Sequence, residues 1–501
     1  MKTRFLTCSM AVAALSLMGC STDDDIGGSD SNAGYAYAYE ADGGLAPQGG
    51  GGQFDNFTDN PFVTVAEQPV STFSVDADGA SYAIVRNTLR RGHSVVPSMV
   101  RIEEFLNYFT FDYPSPTGDQ TVAINGEVGE CPWNTDHRLL RLGIKGKELT
   151  KSETPRANFV FLVDVSGSMS TEDKLPLLKT GLMNLVDHLN PDDRISIITY
   201  SGKVVKLLES TPVKESQTIK SAIHQLNASG YTNGGDALRM AYEEALACYD
   251  EKANNRVIMG TDGDFNVGVT STDALVEMVE SYASKGIYMT CLGFGMGNLN
   301  DAMMERISNK GNGNYYYIDS EEEMVKVFVT ERERFVSVAN DAKCQVTFND
   351  QVVSQYRLIG YENRVMSAED FDDDRKDAGE IGAGQTITAL YELVLVDGAD
   401  GQAADKGLVT FDFRYKKTLQ NASIPLTLPL RVGDIRANNM LSDNFYFAAG
   451  VAAYGMLLRQ SPHKGEATFD MARQLVNKGL SFDPYGYRKE LKELMAIRSE
   501  Q

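Results

Sequence analysis

The sequence predicts an α/β protein: a doubly wound parallel sheet, flanked by a β-sandwich and followed by a helical C-terminal segment. Between residues 156 and 335, short apolar runs alternate with amphipathic helical stretches, the pattern of parallel strands joined by helical crossovers. From 336 to 430 the helical period disappears and only strand-like runs remain. From 431 to 501 apolar residues return to helical spacing. A chain of 501 residues, 42% hydrophobic and 23% charged, has material for more than one core.

Residues 1–19 read as a targeting segment. Lys2 and Arg4 make a basic start, and the apolar stretch from Met10 to Met18 is too short to span a bilayer as a mature helix. It ends in Leu17-Met18-Gly19-Cys20, which resembles a bacterial lipobox. That resemblance implies cleavage before Cys20 and a lipid on its thiol, although Met18 stands where a small residue is usual. An ordinary signal peptide cleaved nearby is the alternative. Ser21-Thr22-Asp23-Asp24-Asp25 is similar to the acidic export tag of surface lipoproteins, and reads equally as the start of a solvated linker. The chain is therefore expected to be an outer-membrane lipoprotein held through Cys20, either exposed on the cell surface or facing the periplasm. Each buried acyl methylene contributes ~0.8 kcal/mol to such anchoring. Residues 20–60, rich in Gly, Ser, Asp and Asn, read as a flexible tether.

Residues 61–155 form an α+β region, with helices expected at 81–91 and 101–109 and strands at 121–129 and 138–145. In the α/β segment, 156–335, strands are expected at 158–163, 194–200, 203–208, 256–261, 286–294 and 314–318. Helices are expected there at 174–189, 216–226, 235–249, 273–284, 301–308 and 321–333. The sandwich, 336–430, has strands at 344–348, 356–359, 386–395 and 408–415. The strands at 121–145 are expected to pair with these, which would make the α/β segment an insertion in the sandwich. The last region, 431–501, carries helices at 443–458, 466–478 and 487–497.

The chemistry gathers where apolar strands end. Phe159-Val160-Phe161-Leu162-Val163 runs into Asp164-Val165-Ser166-Gly167-Ser168, delivering one carboxylate and two hydroxyls into a loop. Ser229 to Gly235 is a Gly-rich loop before a helix and offers the Thr232 hydroxyl. Val257-Ile258-Met259-Gly260-Thr261 is a second apolar strand, ending in Asp262. In a doubly wound sheet, ligands bind beyond the carboxyl ends of the strands, so these loops can share one edge. Oxygen donors suit a hard divalent cation, Mg²⁺ first, with Mn²⁺ or Ca²⁺ also compatible. So few carboxylates leave much of the metal's charge uncompensated, and a partner protein can supply the missing anion.

This set resembles the von Willebrand factor type A (VWA) domain and its metal-ion-dependent adhesion site. The family pattern is Asp-x-Ser-x-Ser, a distal Thr and a distal Asp, here Asp164, Ser166, Ser168, Thr232 and Asp262, with none substituted. The resemblance implies that both serines and the threonine bind metal directly, and that the aspartates bind directly or through water. It also implies that a partner's Glu or Asp completes the metal's coordination. Residues 70–114, the Thr261 to Gly268 segment and the stretch from Ser442 to Arg488 resemble a family of bacterial VWA lipoproteins, so the likeness covers nearly the whole mature chain. Asp78-Gly79-Ala80 and Gly260 depart slightly from that pattern, and the family's C-terminal part has no known role.

Other function classes find little support. A formal charge of −22 argues against nucleic acid as a partner. Of the cysteines, Cys131, Cys248, Cys291 and Cys344 lie beyond the lipid site without a C-x-x-C pair, which leaves zinc unsupported and any disulfide pairing open. Cys291 reads as a small core residue. The EF-hand-like Asp370 to Asp374 run fails at Arg375 and Ile381. Walker A, H-E-x-x-H and G-x-S-x-G motifs are absent, and the five His are scattered. Met169, Met303 and Met304 read as packing, and Trp133 as local packing or a partner contact. A non-enzymatic, lipid-anchored protein-binding role follows. An envelope assembly or signalling scaffold using the site structurally is the alternative. A metal-assisted hydrolase ranks last, since no nucleophile or base accompanies the metal.

Overall fold

The computed structural model describes residues 52–231, 235–263, 272–376 and 378–498. The expectations for the signal segment, for Cys20, for the tether through residue 51 and for Thr232 lie outside the described residues.

The α/β segment is a six-stranded sheet in the order Tyr315–Ile318, Ile287–Phe294, Ala253–Thr261, Arg156–Asp164, Arg194–Tyr200 and Val204–Pro212. The first five are mutually parallel. The sixth departs from the all-parallel expectation, since Val204–Pro212 runs antiparallel to Arg194–Tyr200. Its cause is local: only Ser201-Gly202-Lys203 joins the two strands, enough for a hairpin and far too short for a crossover. An antiparallel edge strand is common on such sheets.

Both faces of this sheet are covered, and the alternation of the central strand shows how. Phe159, Phe161 and Val163 enter one core, with Leu178, Leu182 and Leu185 of the helix Leu175–His188. Val160 and Leu162 point the other way, into a core shared with Leu238, Ala241 and Tyr242 of the helix Gly235–Ala247. A strand buried on both faces must be apolar throughout, which is why its sequence shows no polar alternation. Side-chain caps set two of the later helices: Asn300 accepts from Met303 N at 3.2 Å, and Ser320 from Glu323 N at 3.2 Å. The second of these helices, Glu321–Val325, is shorter than expected and passes into a π turn at Lys326–Thr330.

Around this segment lie two antiparallel sheets. One has the order Val63–Thr64, Val353–Ile359, Thr386–Leu395, Arg138–Gly146, Val122–Glu130. The other runs Val365–Met366, Val70–Ser74, Ser337–Phe348, Gly407–Lys416, Ile424–Arg431, with Gly379–Gly382 pairing off its path. Arg138–Gly146 pairs along its length with Thr386–Leu395, so strands from before and after the α/β segment share one sheet. Residues of both sheets form one core, and Phe348 stacks on Tyr356 between them at 4.0 Å.

The C-terminal helices Asp443–Arg459, Phe469–Lys478 and Tyr487–Arg498 pack with the N-terminal helices Ala80–Arg90 and Ile102–Asn107. Their apolar residues belong to the same core as one face of the α/β sheet. Among the described residues, no helix is long and apolar enough to cross a membrane. Cys131, Cys248, Cys291 and Cys344 are free thiols, and Cys291 is buried in the core as expected.

Candidate functional site

Asp164 closes the central strand Arg156–Asp164, and Asp262 follows the neighbouring strand Ala253–Thr261. The two strands are paired in parallel register, Val163 opposite Gly260, so their loops emerge side by side at the carboxyl edge of the sheet. A third loop joins them through the backbone: Gly167 N donates to Gly230 O at 3.0 Å, and Ser229 N to Val165 O at 2.7 Å. Residues 229–231 are thereby tied to the Asp164 loop, and Tyr231 at their end is 90% exposed. Thr232, next in the chain, lies outside the described residues.

The side chains converge as their spacing suggests. Asp164 Oδ1 accepts from Ser166 N at 2.8 Å, and its Oδ2 accepts from the Thr261 hydroxyl at 3.2 Å. The Ser166 and Ser168 hydroxyl oxygens stand 3.0 Å apart. Asp164, Ser166, Thr261 and Asp262 are buried, and Ser168 is half-buried. Burial pushes the Asp164 carboxyl up to about 6; hydrogen bonds from Ser166 and Thr261 oppose the shift, and the nearby Asp262 charge adds to it. Gly263 lets the Asp262 loop close, because its φ is +91° and a Cβ there would stand 2.3 Å from Asn300 N.

Two site residues escape sequence reasoning. Thr261 orients Asp164 and also accepts from Gly263 N at 3.2 Å. Its place immediately before Asp262 is the available signal. Lys174 donates from Nζ to Asp262 Oδ2 and to the Ser168 carbonyl, both at 2.9 Å. A lysine just before a helix gives no sign that it will turn inward.

The donors that meet here are carboxylate and hydroxyl oxygens, and among the described residues two carboxylates face the Lys174 ammonium. That leaves one net negative charge in a largely buried setting, a donor set that fits a hard divalent cation.

A second acidic group has a different character. Carboxylate oxygens of Asp76, Glu104 and Glu305 lie within 4.8 Å of one another. Arg364 Nε donates to Asp76 at 3.0 Å, and Arg101 donates to Glu104 and, at 2.5 Å, to Asp301. Asn363 donates to Glu305 at 2.6 Å. The arginines make this an ionic clamp joining the N-terminal region, the helix Asp301–Lys310 and the sandwich.

Comparison with known proteins agrees with this architecture. The family signature described as von Willebrand factor type A domain matches residues 158–330, one described as von Willebrand factor matches 49–141, and that of the YfbK C-terminal region matches 333–500. The uncharacterized protein YfbK of Escherichia coli (strain K12) is 37% identical over 474 residues, covering 89% of this chain and 81% of YfbK. Inter-alpha-trypsin inhibitor heavy chain H3 of Mus musculus is 31% identical over 176 residues, 33% of this chain and 19% of that protein. Among solved structures, a von Willebrand factor type A protein from Catenulispora acidiphila aligns with a TM-score of 0.44 at 14% identity, covering 76% of this chain and 91% of that one.

Proposed function

The chain belongs to the YfbK family of von Willebrand factor type A domain proteins, and from that membership we propose that it docks a partner protein through a divalent metal held at the Asp164 loop. Asp164, Ser166, Ser168, Thr232 and Asp262 hold the ion in this reading, and Mg²⁺ is its first candidate. The bound metal supplies a Lewis-acidic point to which an acidic side chain of the partner attaches. The observation that carries the reading is the meeting of two carboxylates and two serine hydroxyls at adjoining strand ends, with the Lys174 ammonium offsetting one charge.

We further propose that the protein works in the cell envelope, anchored at the outer membrane by a lipid on Cys20 with residues 20–60 as tether. The Leu17-Met18-Gly19-Cys20 segment supports the anchor, and the acidic residues after it suit either face of that membrane. The exposed Tyr231 beside the site offers an aromatic contact of the kind that anchors protein interfaces.

The test is crosslinking in cells that express the wild type or Asp164→Ala, with both variants checked for cooperative unfolding. A partner captured by the wild type and lost with Asp164→Ala supports metal-dependent docking. Equal capture by both overturns it.

A further inference from the structure

Lys174 immediately precedes the helix Leu175–His188, yet only 9% of it is exposed. Its Nζ lies 2.9 Å from Asp262 Oδ2 and 2.9 Å from the carbonyl of Ser168, so it bridges two of the three loops at the site. The room for its stem is built. Gly295, just after the strand Ile287–Phe294, has φ of +65°, and a Cβ there would stand 2.3 Å from Lys174 Cε. Withdrawing an ammonium from water is costly unless charge and hydrogen bonds compensate, and here a buried carboxylate and a carbonyl do so.

The consequence lies in the charge count. Asp164 and Asp262 bring two negative charges and Lys174 returns one positive. A divalent cation then leaves the site with one positive charge in excess. With a neutral residue at 174, the same cation would be fully neutralised by the resident aspartates. We propose that Lys174 is a tethered counter-ion that keeps the metal-loaded site one positive charge in excess, so that an anionic carboxylate from the partner, rather than a neutral amide or carbonyl, brings it to neutrality. This rests on the metal-dependent docking proposed above and adds the chemistry of the partner's ligand. Lys174 is a positioning residue here: it holds Asp262 and sets the charge without being counted among the metal's ligands.

The test is calorimetric titration of the full chain with Mg²⁺ alone, for the wild type, Lys174→Gln and Lys174→Arg. Gln keeps a donor while removing the charge, and Arg keeps the charge. Lys174→Gln is expected to bind Mg²⁺ about tenfold tighter than the wild type, since a like charge close to the ion has been removed. Lys174→Arg is expected to stay within about threefold of the wild type, well short of the change that losing a charge produces. A purely structural lysine would give the opposite result, with Lys174→Gln binding more weakly. If the wild type binds and Lys174→Gln binds no tighter, the counter-ion role is overturned and metal-dependent docking stands. Binding by Lys174→Gln without binding by the wild type supports the counter-ion and removes the metal from the docking reading. If neither binds, both fall.

Discussion

Thr261 donates its hydroxyl to Asp164 across 3.2 Å, linking the ends of two neighbouring strands within the buried floor of the site. The bond fixes which oxygen of Asp164 faces the serine loop, because the other oxygen accepts from Ser166 N. Outer-shell hydrogen bonds of this kind orient metal ligands and are worth about 10–100-fold in affinity. Thr261→Val keeps the shape of the side chain and removes the donor. It is expected to weaken Mg²⁺ binding by about tenfold or more, read by calorimetry. Unchanged affinity would mean that Asp164 is held by its own loop alone.

Gly263 makes a second prediction. Its φ of +91°, and the 2.3 Å that would separate a Cβ from Asn300 N, leave no place for a side chain against rigid backbone. Gly263→Ala is expected to lower stability by about 1–3 kcal/mol, measured as a shifted denaturant midpoint. It should also weaken metal uptake, because Asp262 is the adjoining residue.

The clamp around Arg101 makes a third. Arg101 is 1% exposed and lies between Glu104 and Asp301, which come from the N-terminal helix and the α/β segment. Arg101→Met leaves buried carboxylates uncompensated, a change that costs about 3–5 kcal/mol in comparable buried pairs. Loss of the cooperative melt, or a fall of that size, is expected. A fall below about 1 kcal/mol, the scale of a surface pair, would show that the clamp is dispensable.

The same region sets a pH dependence. Burial, then the charges of Glu362 and Asp76, pushes the Glu103 carboxyl up to about 8. Its Oε2 has no hydrogen-bond partner among the described residues. A carboxyl raised in the folded state holds a proton that the unfolded chain has released. Between the ordinary glutamate value of 4.5 and about 8 the native state therefore binds more protons, and stability falls as pH rises through that window. Glu104, also pushed up to about 8 by burial, acts in the same direction against the opposing charge of Arg101. Glu103→Gln is expected to flatten the decline in denaturant midpoint between pH 6 and pH 8.5. An unchanged slope would assign the effect to other groups.

Much of the α/β segment can be read from the chain because strands buried on both faces are apolar throughout, and the helices between them keep one apolar stripe. Val204–Pro212 is legible as a strand, but its direction depends on the length of one short link. Val63–Thr64 is only two residues long, too short to leave a periodic signal. Ile424–Arg431 carries Pro425 and Pro429, which argue against a strand except at an edge, and it lies at the edge of its sheet. At the site, Asp164, Ser166, Ser168 and Asp262 are legible because polar residues ending apolar strands stand out. Lys174 and the arginine clamp are not, since nothing in sequence spacing says which charged side chain will turn inward to a partner tens or hundreds of residues away.

The central claim is most directly tested by measuring bound divalent metal on the full chain. Equilibrium dialysis against Mg²⁺ or Mn²⁺, followed by elemental analysis, compares the wild type with Asp164→Ala. One ion per wild-type chain, lost in a variant that still unfolds cooperatively, is the expected result. Equal uptake by both proteins, or none by the wild type at millimolar metal, would contradict a metal-dependent docking site at Asp164.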